Sequence, residues 1–181
     1  MTTSAPLYER VMGPAFAKLC PAVKALHDVS GDLRAAGRCD VTRGGNWLAN
    51  RLADLVGMPP AGQDLPLTFS IAREGDTERW TRDFAGHRFH SVLWNRGGAL
   101  YERLGPVLLE FRLVARDDSL SMLMQRGWLF GVVPLPRFLL PSVLTREFCA
   151  GGLYQFDVQV DWPMLGPVVR YRGTLGGLGA K

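Results

Sequence analysis

The sequence contains no hydrophobic run of the ~20 residues that a membrane-spanning helix requires. Its N-terminus also lacks the basic stretch and following apolar stretch of a secretion signal. The most apolar segment, residues 128–143, is interrupted by Pro134, Pro136, Arg137 and Pro141. Proline in a helix interior removes a hydrogen bond and breaks the helix. We therefore expect a cytoplasmic protein with no membrane partner.

Cysteine and histidine are scarce as well. Cys20, Cys39 and Cys149 are widely spaced, whereas zinc sites use close cysteine pairs and disulfide frameworks an even number of cysteines. We therefore expect buried free thiols. His87 and His90 lie three positions apart and would point to opposite faces of a strand. The sequence thus predicts no metal site.

Lysine occurs at only three positions, so the positive charge comes almost entirely from arginine. The formal net charge is +4 and the isoelectric point is near 9.2. The arginines alternate along segments and do not form a block, and no nucleic-acid motif accompanies them. The phosphate-loop, dinucleotide-binding and G-x-S-x-G patterns are also missing. We expect no nucleic-acid partner, and the sequence assigns no cofactor and no catalytic residue.

The composition present is that of an ordinary globular domain, with 47% hydrophobic and 21% charged residues. A length of 181 residues fits one domain. We predict a single domain over residues 1–181, with disordered tails at residues 1–6 and 177–181. The length allows a core large enough to be stable without cross-links.

The hydrophobic pattern changes character along the chain. The first quarter predicts short helices, because Pro14 and Pro21 occupy positions where a helix begins. Asn46 predicts the N-cap of a further helix that ends at Gly57. Its predicted apolar face comprises Leu48, Leu52, Leu55 and Val56. From Leu65 onward apolar residues alternate with polar ones, which indicates strands.

About nine or ten strands with tight turns indicate an antiparallel meander. The predicted fold class is mainly β (α+β), a barrel or half-barrel of calycin-like type with N-terminal helices near one mouth or face. In one long strand, six alternate residues are predicted to share a face: Leu120, Met122, Met124, Arg126, Trp128 and Phe130.

A set of short motifs, in order along nearly the whole chain, resembles a known family. The motifs are Leu7-Tyr8-Glu9-Arg10, Gly13-Pro14-Ala15-Phe16, Pro21-Ala22-Val23, His27-Asp28, Glu78-Arg79-Trp80-Thr81-Arg82, Gly86 with Phe89, Gly105-Pro106, Pro134-Leu135-Pro136, Phe156-Asp157-Val158 and Val169-Arg170-Tyr171-Arg172. They resemble a bacterial domain of unknown function, the domain of unknown function 4166 family. Members are often fused C-terminal to saccharopine-dehydrogenase-like oxidoreductases, but this chain carries no dinucleotide-binding pattern. The resemblance implies an oxidoreductase partner and no particular catalytic residues.

Charged residues on aromatic strand faces form the candidate site. Arg82 lies between Trp80 and Phe84, and Arg126 lies between Met124 and Trp128. The candidate ligand-binding residues are Trp80, Arg82, His90, Trp94, Arg126 and Trp128. If these faces point into a barrel, they would line an apolar pocket with a few polar groups, as ligand pockets have. Alternatively, Arg82 reaches the barrel rim or pairs with Glu110 or Glu147 on a neighbouring strand.

Three functions follow from this reading. The leading one is a binding domain for an apolar or amphipathic small molecule, whose acidic head Arg82 or Arg126 would hold. An enzyme using the same cavity would need His90 as its acid–base group, facing inward. An accessory interaction domain for an oxidoreductase would dock through residues 133–141, which include Phe138, Leu139 and Leu140. These three side chains could instead cap the barrel.

Overall fold

A ring of hydrogen-bonded strands organises the computed structural model, which describes residues 5–177. The helices are α1 (Leu7–Met12), α2 (Pro21–His27) and α3 (Trp47–Leu55), and two 3-10 helices span Gly13–Lys18 and Arg137–Leu139. The strands are β1 (Leu33–Arg43), β2 (Gly62–Glu74), β3 (Thr77–Phe84), β4 (His87–Arg96), β5 (Ala99–Leu104), β6 (Val107–Arg116), β7 (Ser119–Leu129), β8 (Val133–Pro134), β9 (Ser142–Ala150), β10 (Leu153–Trp162) and β11 (Gly166–Gly176). Of the predicted disordered tails, residues 1–4 and 178–181 lie outside the described residues.

Ten of these strands form a closed antiparallel barrel. β1 to β7 pair in chain order, β7 pairs with β9, and β9, β10 and β11 follow, with β11 returning to β1. The short β8 pairs only with the end of β7. The predicted mainly β meander is confirmed, and it takes the closed form rather than the half-barrel. Closure removes the long exposed strand edges that an open sheet would leave.

Glycine permits the pairing between β1 and β11 that closes the ring. A Cβ atom at Gly37 of β1 would lie 1.8 Å from the carbonyl oxygen of Thr174. A Cβ atom at Gly173 of β11 would lie 2.2 Å from the carbonyl oxygen of Arg38. Both obstacles are backbone atoms, which cannot rotate away as a side chain can. We call Gly37 and Gly173 the glycine seam.

We predict that Gly37→Ala lowers the free energy of unfolding by about 3 kcal/mol, because the added methyl group displaces backbone at the closure. Urea unfolding followed by circular dichroism measures the change. Gly31→Ala is the matched control, since a Cβ atom there would meet nothing within 4 Å. Equal losses in the two variants would contradict this role for the seam.

The two ends of the barrel are covered differently. β1 starts soon after α2 and stops just before α3, so these helices lie at opposite ends of the barrel. α1 and α2 cover what we call the closed end, where Tyr8 and His27 have no exposed surface. α3 and residues 130–141 lie at the other end, which we call the open end. No helix within residues 5–177 is long and apolar enough to cross a membrane.

A β-bulge in β7 changes which of its side chains point inward. β7 pairs regularly with β6 up to Met124 and again from Arg126, which leaves Gln125 as the extra residue. One extra residue reverses the alternation of faces along a strand. The prediction that residues 120–130 keep a single inward face is therefore wrong beyond Met124. Arg126 is exposed, and Trp128 lies against Tyr101 on the outer wall.

Asn46 caps α3 as predicted, but α3 packs by a different face. The Asn46 side-chain oxygen accepts hydrogen bonds from the backbone N–H groups of Leu48, at 2.9 Å, and Ala49, at 3.4 Å. Ala49 and Ala53 are buried, whereas Leu48 is 41% and Leu55 is 72% exposed. The predicted leucine face is thus only partly used, because the alanine side of the helix makes the contact with the barrel.

Cys20 and Cys149 form a disulfide, so the expectation of free thiols is wrong for this pair. Cys39 remains a buried free cysteine. The bonded cysteines are 129 positions apart, and they meet because α2 packs against β9. The bond attaches the closed-end helices to the barrel wall. Disulfides are typical of oxidising compartments. The bond therefore gives no support to the expected cytoplasmic location, which stays a prediction.

The double variant Cys20→Ser/Cys149→Ser should lose about 3–5 kcal/mol of unfolding free energy. The bond closes a long loop and so restricts the unfolded chain strongly. Urea unfolding with and without dithiothreitol measures this loss. The reductant should destabilise the wild type by a similar amount and leave the variant unchanged. Titration of three free thiols in the unfolded, unreduced wild type would contradict the disulfide.

Candidate functional site

The barrel encloses a cavity of about 310 Å³. Its wall is mostly aliphatic and aromatic, with Phe69, Phe111 and Phe156 among the lining residues. Near the open end the lining continues onto Leu52 of α3 and onto Leu139 of the second 3-10 helix. The cavity therefore extends from the barrel core toward the end that α3 covers.

A few polar side chains interrupt this apolar wall. They are Arg82, Glu102, Thr145, Glu147, Tyr154 and Tyr171. All six occupy inward positions on strands, because alternate residues of a strand face the barrel interior. The cavity thus combines a large apolar surface with a small convergent polar group, which is the usual make-up of a ligand pocket.

Arg82 is held by a buried ion pair and by aromatic rings. Its Nη2 lies 3.6 Å from Oε1 of Glu102, and its Nη1 donates a hydrogen bond to Oγ of Ser91 at 3.1 Å. The side chains of Arg82 and Glu102 are 12% and 9% exposed. The guanidinium carbon lies 5.0 Å from the ring centroid of Trp80 and 5.2 Å from that of Phe89. The charge of Arg82 is therefore matched within the protein.

His27 and Glu147 form a second buried pair toward the closed end. His27 Nε2 lies 2.6 Å from Glu147 Oε2, and their side chains are 0% and 3% exposed. The ring of His27 stacks on Tyr8, with centroids 3.7 Å apart, and Tyr8 stacks in turn near Trp80 at 5.9 Å. Glu147 touches the cavity, so this pair connects the cavity wall to the helices that close the barrel.

Burial keeps the tyrosine hydroxyls at and beside the cavity in their neutral forms. Burial, and then the neighbouring charge of Glu147, raises the pKa of the Tyr8 and Tyr154 hydroxyls well above its usual value. Burial also raises the pKa of Tyr171 to about 12. These hydroxyl groups stay protonated at neutral pH. Tyr154 and Tyr171 line the cavity, and the Tyr154 hydroxyl donates a hydrogen bond to Glu147.

Glu78 shares the inward face of β3 with Trp80 and is 1% exposed. Its Oε2 accepts a hydrogen bond from Nε1 of Trp80 at 2.9 Å. Desolvation nevertheless raises the pKa of Glu78 above its ordinary value of 4.5. The folded protein therefore binds this proton more tightly than the unfolded chain does.

We predict that Glu78→Gln becomes more stable relative to the wild type as the pH rises. The contribution of Glu78 is fully present below pH 4.5 and is lost as pH rises through the raised folded-state pKa. Glutamine retains an acceptor for Trp80 and does not titrate. The unfolding free energy of Glu78→Gln minus that of the wild type should therefore grow between pH 4 and 8, as urea unfolding at several pH values would measure. A flat or falling difference would contradict this.

Of the six candidate residues, the structure brings Trp80 and Arg82 to the cavity. The other four lie on the outside of the barrel. His90 is exposed and its Nδ1 lies 3.0 Å from the Thr81 hydroxyl. Trp94 and Trp128 flank Tyr101 in an outer stack with centroid spacings of 6.0 Å, and Arg126 is exposed beside them on β7.

Sequence reasoning missed several residues that the fold places at the cavity. Leu100, Glu102 and Leu104 occupy alternate positions of β5 and share its inward face. The alternation in the sequence therefore indicates the inward position of Glu102. Glu147 was considered as a partner for Arg82, but Glu102 takes that role and Glu147 pairs with His27. His27, at the end of α2, gave no signal of this pairing because its partner lies 120 positions away.

The fold and cavity define the class of this protein as a closed ten-stranded antiparallel β-barrel domain with an apolar interior site. The family profile described as "Domain of unknown function (DUF4166)" matches residues 19–175, and the chain belongs to this family. No curated protein sequence matches the chain.

Proposed function

We propose that this protein binds an apolar or amphipathic small molecule inside its barrel. The observation that carries the proposal is the cavity of about 310 Å³, lined by apolar side chains with a few polar groups. Its volume lies at the lower end of the roughly 300–1,000 Å³ typical of ligand pockets. A ligand there would bury its apolar surface against the aliphatic and aromatic wall, which favours binding.

The charges at the cavity favour an uncharged polar group on the ligand. An acidic head held by Arg82 would have to compete with Glu102, which already matches that charge. It would also lie near the carboxylate of Glu147, which lines the same cavity. Burying an unmatched charge is costly, whereas a hydroxyl group can exchange hydrogen bonds with Arg82, Tyr154 or Thr145. Arg126 lies outside and would not contact the ligand.

Fewer structural observations support the two alternative functions. An enzyme that uses His90 would need this ring at the cavity, but His90 is exposed and does not line it. The oxidoreductase partner follows from the family resemblance alone. Residues 133–141 have features of both a barrel cap and a docking surface. Leu135 and Leu139 line the cavity, which fits a cap, whereas Phe138 is 62% exposed, which fits a docking surface.

Binding of decan-1-ol and of decanoate tests the proposal. The cavity volume equals roughly ten water molecules at liquid density, so a ten-carbon chain is a suitable probe. We expect decan-1-ol to bind, and to bind at least tenfold more tightly than decanoate, in calorimetric titration of the purified protein. Absence of binding by both probes would contradict the proposal.

A cavity-filling variant locates the binding. Val158→Phe places a larger side chain in the cavity wall and should weaken decan-1-ol binding at least tenfold. Val92→Phe is the matched control, because Val92 shares the outer face of β4 with His90 and Trp94. Equal affinities of Val158→Phe and the wild type would place the alcohol outside the cavity.

A further inference from the structure

The most exposed large apolar side chains of residues 5–177 concentrate at the open end of the barrel. Six of them are between 62% and 76% exposed: Trp47, Leu55, Phe130, Val132, Phe138 and Met164. We call these six residues the apolar rim. Trp47 and Leu55 are the two ends of α3, Phe130 and Val132 follow β7, Phe138 lies in the second 3-10 helix, and Met164 joins β10 to β11.

The direction of the strands places all of these segments at one end. β7 and β10 both run toward the open end, and β1 leads into α3 there. At the closed end, Leu153 is the one large apolar side chain of the described residues with comparable exposure, at 52%. Large exposed apolar patches are uncommon on soluble proteins and mark contact surfaces. The rim therefore differs from the rest of the described barrel surface in the number and exposure of its large apolar side chains.

The apolar rim is continuous with the cavity. Leu52 of α3 and Leu139 of the 3-10 helix line the cavity, while Trp47 and Phe138 on the same two elements point into solvent. A molecule that leaves the cavity between these elements would pass directly onto the rim. If another apolar surface covered the rim, an apolar molecule could pass from the cavity to that surface without crossing water.

The unpaired charges on α3 and on residues 130–141, beside the rim, are positive. Arg51 on α3 and Arg137 beside Phe138 are exposed, and neither forms an ion pair within the described part of the chain. The acidic residue of α3, Asp54, pairs with Arg43 at 3.0 Å. Residues 130–141 contain no acidic residue. A surface that pairs exposed tryptophan and phenylalanine with unmatched arginine suits the interface of an anionic bilayer.

From these observations we infer that the open end of the barrel contacts a membrane surface that contains anionic lipid, and that the cavity exchanges its ligand there. A bilayer accommodates protruding side chains from three separate segments without a matching shape. A second copy packed rim to rim would instead collect the unpaired Arg51 and Arg137 of both copies in one interface. The exchange step rests on the proposed function, whereas the surface contact does not. Such peripheral contact requires no membrane-spanning segment.

Co-sedimentation of the full chain with lipid vesicles tests the contact. We expect binding to vesicles of equal parts phosphatidylglycerol and phosphatidylcholine to be at least tenfold stronger than to phosphatidylcholine alone, and to weaken as salt increases. Arg51→Gln/Arg137→Gln should remove most of this preference. Equal binding to both vesicle types, or no binding, would overturn the proposal.

A variant of the rim tests which surface makes the contact. Trp47→Ser/Phe138→Ser should weaken binding to the anionic vesicles at least tenfold, while Leu153→Ser at the closed end should leave it unchanged. All three side-chain changes are at exposed positions, so thermal unfolding should show each variant folded as the wild type is. Undiminished vesicle binding by the rim variant would overturn the proposal. A rim-dependent dimer in solution without vesicle binding would also overturn it and assign the rim to a second copy.

The same vesicles separate this inference from the proposed function. Val158→Phe alters the cavity and leaves the rim intact, so it should bind vesicles as the wild type does. Absence of alcohol binding by the wild type, with retained vesicle binding, would refute the cavity function alone. Loss of vesicle binding in the wild type with retained alcohol binding would refute the membrane contact alone.

Discussion

The pairing of β1 with β11 is the interaction on which the rest of this structure depends. It joins the first and last strands of the meander and converts a sheet with two edges into a ring. The glycine seam allows it, because any Cβ atom at Gly37 or Gly173 would collide with backbone of the opposite strand. Only a closed ring has an interior that excludes water on all sides, so the cavity and its buried charges follow from this one contact.

The interior that closure creates is asymmetric along the barrel axis. At the closed end the stack of His27, Tyr8 and Trp80 and the disulfide of Cys20 with Cys149 seal the core. At the open end the short helix α3 buries two alanines and leaves Trp47 and Leu55 largely exposed. Between the ends, Glu102 pairs with Arg82 and Glu147 with His27, while burial raises the pKa of Glu78. The most exposed large apolar side chains of the described residues therefore lie at the open end, opposite the sealed one.

Much of the fold could be predicted from residues that are neighbours in sequence. The alternation of Trp80, Arg82 and Phe84 correctly indicated one face of a strand, and Asn46 correctly indicated the start of α3. The site could be predicted only in part, for a physical reason. An inserted residue such as Gln125 reverses every later side chain of its strand, and local periodicity does not reveal an insertion whose effect depends on the paired strand. Trp128 was therefore expected inside and lies outside.

The sequence by itself determined the strand-rich, antiparallel character of this protein and the shared strand face of Trp80, Arg82 and Phe84, because alternation and turns depend on the stereochemistry of adjacent residues. Only the tertiary structure decided that the sheet closes, that Glu102 rather than Glu147 balances Arg82, and that Cys20 meets Cys149. These outcomes join residues far apart in the chain, and which of them meet depends on the register and curvature of the whole ring.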